Sequence, residues 1–215
     1  MTCEHKRSMG IISSYSPSSP LSRLLCYTVL TILILAGIIA LILYLVYHPS
    51  KPHFVVSGVA VYQLTNTNTT SPVTSTAITA SLQFTLLSRN PNRRSSILYD
   101  RLSSYVTYKN QAITQPAPLP VLFLEKQGEV AMSPVMGGSA PLPVSADVAA
   151  GLMGDEAYGV VGLRLVVIGR MRYKSGPFRS GWYSIYVRCD VLIALRKGCS
   201  GQVPLLGAPE CAVDV

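Results

Sequence analysis

Alternating cations near the C-terminus are the clearest candidates for chemistry in this sequence. Arg170, Arg172 and Lys174 alternate with apolar residues at the end of the stretch 163–174. Successive side chains of a strand point to opposite faces, so the three cations share one polar face. This face could bind an anion: an acidic polysaccharide, anionic lipid headgroups or an acidic protein. The alternative is a solvated face whose cations discourage aggregation.

The stretch 163–174 forms a predicted hairpin with a second strand, 182–195, around the turn-rich loop 175–181. Pairing Lys174 with Trp182 keeps the apolar side chains of both strands on one face, Tyr183 among them. The predicted anion-binding patch then contains five cations, which are Arg170, Arg172, Lys174, Arg179 and Arg188.

Histidine is missing from the whole stretch between Phe54 and Val215. This argues against Ser-His-Asp and Cys-His nucleophilic sites and against histidine-based metal sites. Carboxylates are sparse, and the adjacent pair Asp155-Glu156 beside Gly154 predicts a solvated turn. No glycine loop is followed by the Lys-Ser/Thr that holds phosphates. We therefore predict a non-enzymatic chain without catalytic residues, metal or cofactor, and with no nucleic-acid partner.

Two residue types predict covalent modification. Asn68 opens an N-glycosylation sequon, Asn68-Thr69-Thr70, within the polar stretch 65–76, which predicts an exposed loop. Three cysteines lie further on, an odd number that predicts one disulfide and one spare thiol. They are Cys189, Cys199 and Cys211.

A membrane-spanning segment explains the apolar composition, which is 49% hydrophobic with 13% charged residues. Residues 24–47 carry no charge, and as a helix they would extend roughly 36 Å, enough for a hydrocarbon core of about 30 Å. A buried core helix would show a polar stripe, and a signal peptide would have a shorter apolar core and a small-residue cleavage site. We predict an uncleaved signal-anchor helix.

Flanking cations predict the orientation of this helix. Lys6, Arg7 and Arg23 precede it, whereas Lys51 is the one cation between the helix and Arg89. The excess on the N-terminal side places the N-terminus in the cytosol. The predicted organisation is a disordered cytosolic tail (1–23), the helix (24–47) and an extracytoplasmic domain (48–215). Small residues spaced by four, Ala36 and Ala40, leave a homo-oligomer through helix pairing open.

The extracytoplasmic domain has the pattern of an antiparallel β-sandwich. Its formal charge is +6, from fifteen Lys and Arg against nine Asp and Glu. Apolar residues of the first strand, including Phe54, Tyr62 and Leu64, are expected to face the core. The predicted elements are strands at 54–64, 76–87, 97–108, 119–125, 163–174 and 182–195 and one short helix within 144–153.

The run Asn90-Pro91-Asn92-Arg93-Arg94, followed by Tyr99-Asp100, is by itself turn chemistry leading into a strand. It also resembles the signature of the plant non-race-specific disease resistance and harpin-induced-like family. Further matches follow in the same order as in that family: Lys126-Gln127-Gly128, the basic strand that contains Arg170, Arg172 and Lys174, and Cys189-Asp190. Lys126 stands where a tyrosine is usual. The resemblance covers residues 20–215.

This resemblance implies a late-embryogenesis-abundant group 2 domain with a fibronectin-III- or immunoglobulin-like sandwich, on a plasma-membrane protein. It also implies a disulfide between Cys189 and Cys211, with Cys199 an addition. The favoured function is a defence component, in the hypersensitive response or in membrane–wall adhesion, that binds a defence-signalling protein or an acidic wall polysaccharide. The alternative is a stress-protective protein that stabilises membranes or proteins during dehydration.

Overall fold

The computed structural model describes residues 20–47, 49–69, 75–195, 198, 200–207 and 210–215. The chain divides after His48 into two compact units. Most of the predicted cytosolic tail, up to residue 19, lies outside the described residues.

The first unit contains one long helix, α1, from Pro20 to Tyr47. Its stretch Arg23–Tyr44 is long and apolar enough to cross a membrane, and none of that stretch is buried in the protein. The hydroxyls of Thr28 and Thr31 donate to helix carbonyls three residues earlier, at 2.9 and 2.8 Å. Polar groups satisfied within the helix suit a hydrocarbon environment. The predicted helix of membrane-spanning length is confirmed.

The second unit is mainly β, as predicted, and its sheets are antiparallel. Its helix, α2, is Ala146–Tyr158. Its strands are β1 His53–Thr69, β2 Ser75–Arg89, β3 Ser96–Tyr108, β4 Gln111–Ala112, β5 Ala117–Pro118, β6 Leu122–Leu124, β7 Glu129–Met132, β8 Val135–Gly137, β9 Leu142–Pro143, β10 Val161–Ser175, β11 Phe178–Arg179, β12 Tyr183–Ile193, β13 Gly201–Val203 and β14 Ala212–Asp214.

Two sheets pack around one hydrophobic core. The first has the order β13-β1-β2-β7, with β8 and β9 also pairing with β2. The second has the order β14-β12-β10-β3-β4, with β11 on β10 and β5 and β6 on β3. Alternating residues of both sheets form a single buried cluster, as in a sandwich, with Phe84 and Leu82 from the first and Leu165 and Val187 from the second.

The predicted inner face of β1 is wrong in part, because β-bulges interrupt the pairing of β1 with β2. The pairing of β1 with β2 shifts between Val56 and Gly58, so the inward positions change from even to odd numbers. Val59 and Val61 are therefore buried. Tyr62, expected in the core, is 52% exposed, and its hydroxyl donates to Gln83 on β2.

The predicted exposed loop 65–76 is wrong over most of its length. β1 continues through Thr69 and β2 begins at Ser75, with Asn68 opposite Thr76. Threonine favours strands, and a polar two-stranded extension keeps its ladder hydrogen bonds without needing a buried face. Residues 70–74 lie outside the described residues.

The helix predicted within residues 144–153 is present, but in the structure it is longer and begins two residues later, at Ala146. The Ser145 hydroxyl caps α2 by accepting a hydrogen bond from the Val148 amide, and Gly159 ends it in a left-handed conformation with φ 81°. Asp155 and Glu156, predicted in a turn, are in the last turns of α2. The Asp155 carboxylate accepts a 2.6 Å hydrogen bond from Tyr108.

Candidate functional site

The last hairpin is confirmed, but its predicted register is wrong by two residues. Arg170 faces Ser184, rather than Tyr186, and Met171 faces Tyr183. A tight turn at Gly176-Pro177 returns β11 against the end of β10, where Lys174 pairs with Arg179. Ser180 then forms hydrogen bonds with Tyr173. As a result, two residues, Gly181 and Trp182, lie opposite a single residue of β10, and the chain forms a bulge at that point.

A shift of two residues preserves the faces of both strands, so the cations still share the outer face of the second sheet. Ile185, Val187 and Cys189 are buried as expected. Tyr183, however, is 46% exposed at the start of β12, beside the bulge. Its ring forms a T-shaped pair with that of Tyr173, with the centroids 6.2 Å apart.

The structure divides the predicted anion-binding patch into two groups. On the sheet face, Arg170 binds Asp100, with its Nε 2.9 Å from the carboxylate, and Arg188 lies 3.8 Å from Asp214. Lys174 and Arg179 instead sit at the exposed turn of the hairpin. Two of the five cations therefore have carboxylate partners on the face.

Trp182 covers the two arginines nearest the bulge. Its ring centroid is 4.5 Å from the Arg170 guanidinium carbon and 4.6 Å from that of Arg172. Cation–π contact of this kind holds a guanidinium in place without neutralising its charge. Because Arg170 also binds Asp100, Arg172 is the cation of this pair whose charge is available to a ligand.

The motif residues that carried the resemblance organise a loop, Asn90–Ser95, which we call the motif loop. Asn90 is buried, and its side-chain amide donates to the carbonyls of Ser95 (2.8 Å) and Glu125 (2.9 Å). Its side-chain oxygen accepts hydrogen bonds from the backbone and side-chain amides of Asn92, at 3.1 and 2.9 Å. One buried side chain thus joins the motif loop to the loop before β7.

Asn92 extends this network to the start of the sandwich. Its side-chain amide donates to the Ser50 carbonyl (2.8 Å), and its side-chain oxygen accepts from the Ser50 amide (2.7 Å). The Tyr173 hydroxyl donates to the same carbonyl, at 3.3 Å. Burial raises the pKa of Tyr173 to about 12, so this donor keeps its proton across the physiological range. Pro91 lies between the two asparagines, and Arg93 and Arg94 are exposed.

Tyr99 and Asp100 complete the motif on β3. The Tyr99 ring is buried against Phe54, and burial raises the pKa of its hydroxyl, which lies 3.3 Å from the Ser88 hydroxyl. The hydrogen bond from Arg170 lowers the pKa of Asp100. These contacts give Tyr99 a core role and make Asp100 the anchor of Arg170.

The disulfide between Cys189 and Cys211 is confirmed, and it joins residues 22 apart in the sequence. Cys189 lies on β12, while the Cys211 amide donates to the Phe54 carbonyl of β1. The bridge therefore links the two sheets near the C-terminus. Cys199 lies outside the described residues.

The sequon is only partly described. Asn68 belongs to β1, whereas Thr70, the hydroxyl residue of the sequon, lies outside the described residues. Glycosylation of Asn68 stays a prediction.

A cleft of about 570 Å³ beside the motif loop was missed by the sequence analysis. Its lining includes His53, Arg89, Glu129 and Glu210, which come from four separate parts of the chain. Only the isolated histidine among them is distinctive in the sequence. The mixture of charges gives the cleft no preference for one sign. Among the described residues, no group of three His, Cys, Asp or Glu side chains could hold a metal ion.

The fold and these sites define a class: an antiparallel β-sandwich preceded by one helix of membrane-spanning length. The chain is 31% identical over 183 residues to NDR1/HIN1-like protein 1 of Arabidopsis thaliana, a match that covers 85% of each chain. It is 30% identical over 197 residues to NDR1/HIN1-like protein 12 of the same plant, covering 89% of this chain and 90% of the relative. No protein-family profile matches. The chain belongs to the NDR1/HIN1-like family, which confirms the resemblance seen in the sequence.

Proposed function

We propose that this chain is a non-enzymatic, single-pass plasma-membrane protein of plant defence. Its N-terminus lies in the cytosol, and residues 48–215 form an extracellular binding module of the late-embryogenesis-abundant group 2 type. The observation that carries the proposal is the family relationship over 85% of both chains, together with the membrane-length helix at the same end as the cationic tail. The disulfide supports it, because such bonds persist outside the cytosol.

The outer face of the second sheet is the proposed ligand-binding surface. Arg172 keeps its charge while stacked on Trp182, which is 42% exposed. An exposed aromatic ring beside a fixed cation offers both apolar contact and charge to an acidic ligand. The ligand is then an acidic wall polysaccharide or an acidic surface of a defence-signalling protein.

Crosslinking in plant tissue tests this function. Tagged full-length chain would be crosslinked after pathogen elicitation, dehydration or mock treatment, and the eluates analysed for co-purified proteins and for uronic acid. The proposal predicts a specific protein or uronic acid in the elicited samples, at least about fivefold above mock treatment. Arg172→Glu should remove most of that capture, because it reverses the charge that meets the ligand.

Lys109→Glu is the matched control, because Lys109 is an exposed cation stacked 5.3 Å from the ring of Tyr108 at another part of the sandwich. It should capture as much as the unmodified chain. Capture induced by dehydration and not by elicitation would contradict the defence function and favour the stress-protective alternative. Equal loss in both variants would show that net charge, rather than the proposed surface, governs binding.

A further inference from the structure

Four segments of the sandwich meet where the chain enters it, and we call them together the junction end: residues 49–52, 91–95, 125–128 and 174–181. The Asn92 side chain binds both backbone groups of Ser50, and the Gln127 amide donates to the Asn92 carbonyl at 3.1 Å. The Ser175 hydroxyl donates to the Arg94 carbonyl, also at 3.1 Å. These bonds fix the four segments as one surface.

The junction end holds almost all the excess positive charge of the sandwich. It contains six cations and one carboxylate, a net charge of +5, whereas residues 48–215 as a whole carry +6. The rest of the domain, with nine cations and eight carboxylates, is nearly neutral. All the charged side chains of the junction end are exposed: Lys51, Arg93, Arg94, Glu125, Lys126, Lys174 and Arg179.

An apolar ring projects from the same surface. Phe178 is 77% exposed at the hairpin turn, next to Arg179 and across the ladder from Ser175. The turn is held by the pairing of β11 with β10 and by Gly176, whose φ is 60°. A large exposed aromatic flanked by cations is typical of surfaces that sit in the interface of a bilayer.

The attachment of the sandwich to α1 indicates what the junction end contacts. Ser50 follows Tyr47, the last residue of α1, by three positions, so the junction end is the part of the sandwich attached to the helix. A tethered surface meets its neighbour at a high effective concentration, whereas a free polyanion must be recruited from solution. At the end of a membrane-spanning helix the chain passes through the phospholipid headgroup layer, whose phosphates are anionic.

We propose that the junction end docks on the phospholipid headgroups of the bilayer that α1 crosses, with Phe178 in the interface and the six cations on phosphates. This inference rests on the membrane anchorage in the proposed function and goes beyond it, because it assigns a separate surface to lipid. Docking at this end leaves the Arg172–Trp182 face of the second sheet for the other ligand. The attraction weakens as salt rises, because exposed charges are screened.

Tryptophan quenching in nanodiscs tests the docking. Trp182 is the only tryptophan, so Trp182→Phe gives a background into which a single probe can be placed. Phe178→Trp puts that probe in the junction end. Tyr158→Trp is the matched control, because Tyr158 is 90% exposed and lies near the start of β10, whereas the junction end includes the far end of that strand.

The full-length variants would be placed in nanodiscs of phosphatidylcholine with phosphatidylglycerol, with or without bromine on the upper acyl carbons. Docking predicts that bromine quenches the Phe178→Trp variant at least about threefold more than the Tyr158→Trp variant at low salt. Quenching should fall when Lys126, Lys174 and Arg179 are replaced by Glu, and also at high salt. Lys109→Glu should leave it unchanged.

Three results would overturn the docking in different ways. Equal, weak quenching of the two probes in a chain that co-elutes with nanodiscs would refute the docking and leave the anchor intact. Weak quenching together with saturable binding of polygalacturonate that the triple Glu variant loses would assign the junction end to acidic polysaccharide. A chain that does not co-elute with nanodiscs would refute both the docking and the membrane anchorage of the proposed function.

Discussion

Asn90 satisfies four hydrogen bonds from a buried position, and this explains why a short polar loop holds one shape. Its amide and carbonyl groups bind the backbone of Ser95 and Glu125 and both amide groups of Asn92. Buried polar groups are costly when unpaired, so loss of this one side chain affects several backbone groups at once. Asp100 plays a smaller part nearby, since its bond to Arg170 is partly open to water.

Asn90→Ala should lower the free energy of unfolding by about 3 kcal/mol, because it removes the buried partner of the Ser95 carbonyl and of the Asn92 backbone amide. Chemical denaturation of the full chain in detergent, followed by the fluorescence of Trp182, would measure this. Arg93→Ala, an exposed position of the same loop, is the control and should change stability by less than about 0.5 kcal/mol. Equal stability of the two variants would show that Asn90 does not organise the motif loop.

The motif loop also shows where inference from sequence stops at this scale. Asn-Pro-Asn predicted a turn, because its residue types favour one locally. The partner carbonyl of Glu125 is 35 residues away, and no local propensity encodes that contact. Similarly, the alternation around Arg170 predicted a basic face, but its pairing with Asp100 across β3 and β10 depends on the fold.

At the scale of elements, strand patterns predicted the sandwich well and predicted register poorly. A side-chain period of two identifies which face of β10 and β12 is buried, and a register error of two residues leaves that face unchanged. The error arose between the two strands, where a tight turn at Gly176-Pro177 and a bulge at Gly181 and Trp182 replace the expected loop 175–181. β1 shows the same limit, because its bulge at Gly58 turns Tyr62 outward.

The disulfide acts between elements, since it ties β12 to the segment bonded to β1. Closing a loop of this size removes conformational entropy from the unfolded chain, so Cys211→Ser should cost about 3 kcal/mol. For a domain of this length the thermal midpoint should fall by roughly 6–12 °C, measurable by circular dichroism. Dithiothreitol should produce the same shift in the unmodified chain.

Cys26→Ser is the control for this change, because Cys26 is a free cysteine on the surface of α1. Its midpoint should match that of the unmodified chain. An unchanged midpoint for Cys211→Ser, with reductant also without effect, would show that the bridge does not stabilise the sandwich.

At the scale of the whole molecule, charge and hydrophobicity are separated along the chain. A helix without charge from residue 24 onward precedes a sandwich whose excess charge of +6 is concentrated at the junction end. Composition predicted the helix, because length and hydropathy suffice to identify a membrane span. It did not predict the concentration of charge, since the four segments of the junction end run from residue 49 to residue 181 and only the fold brings them together.

The central claim, that α1 crosses the membrane once and leaves the sandwich outside the cytosol, is tested most directly by protease protection. Sealed microsomes containing the full chain with an N-terminal tag would be treated with protease, with and without detergent. The proposed topology predicts that the tag is removed while a fragment containing the sandwich survives until detergent is added. That fragment should shrink on deglycosylation, and Asn68→Gln should abolish the shrinkage. Digestion of the sandwich in intact microsomes, with the tag protected, would contradict the topology.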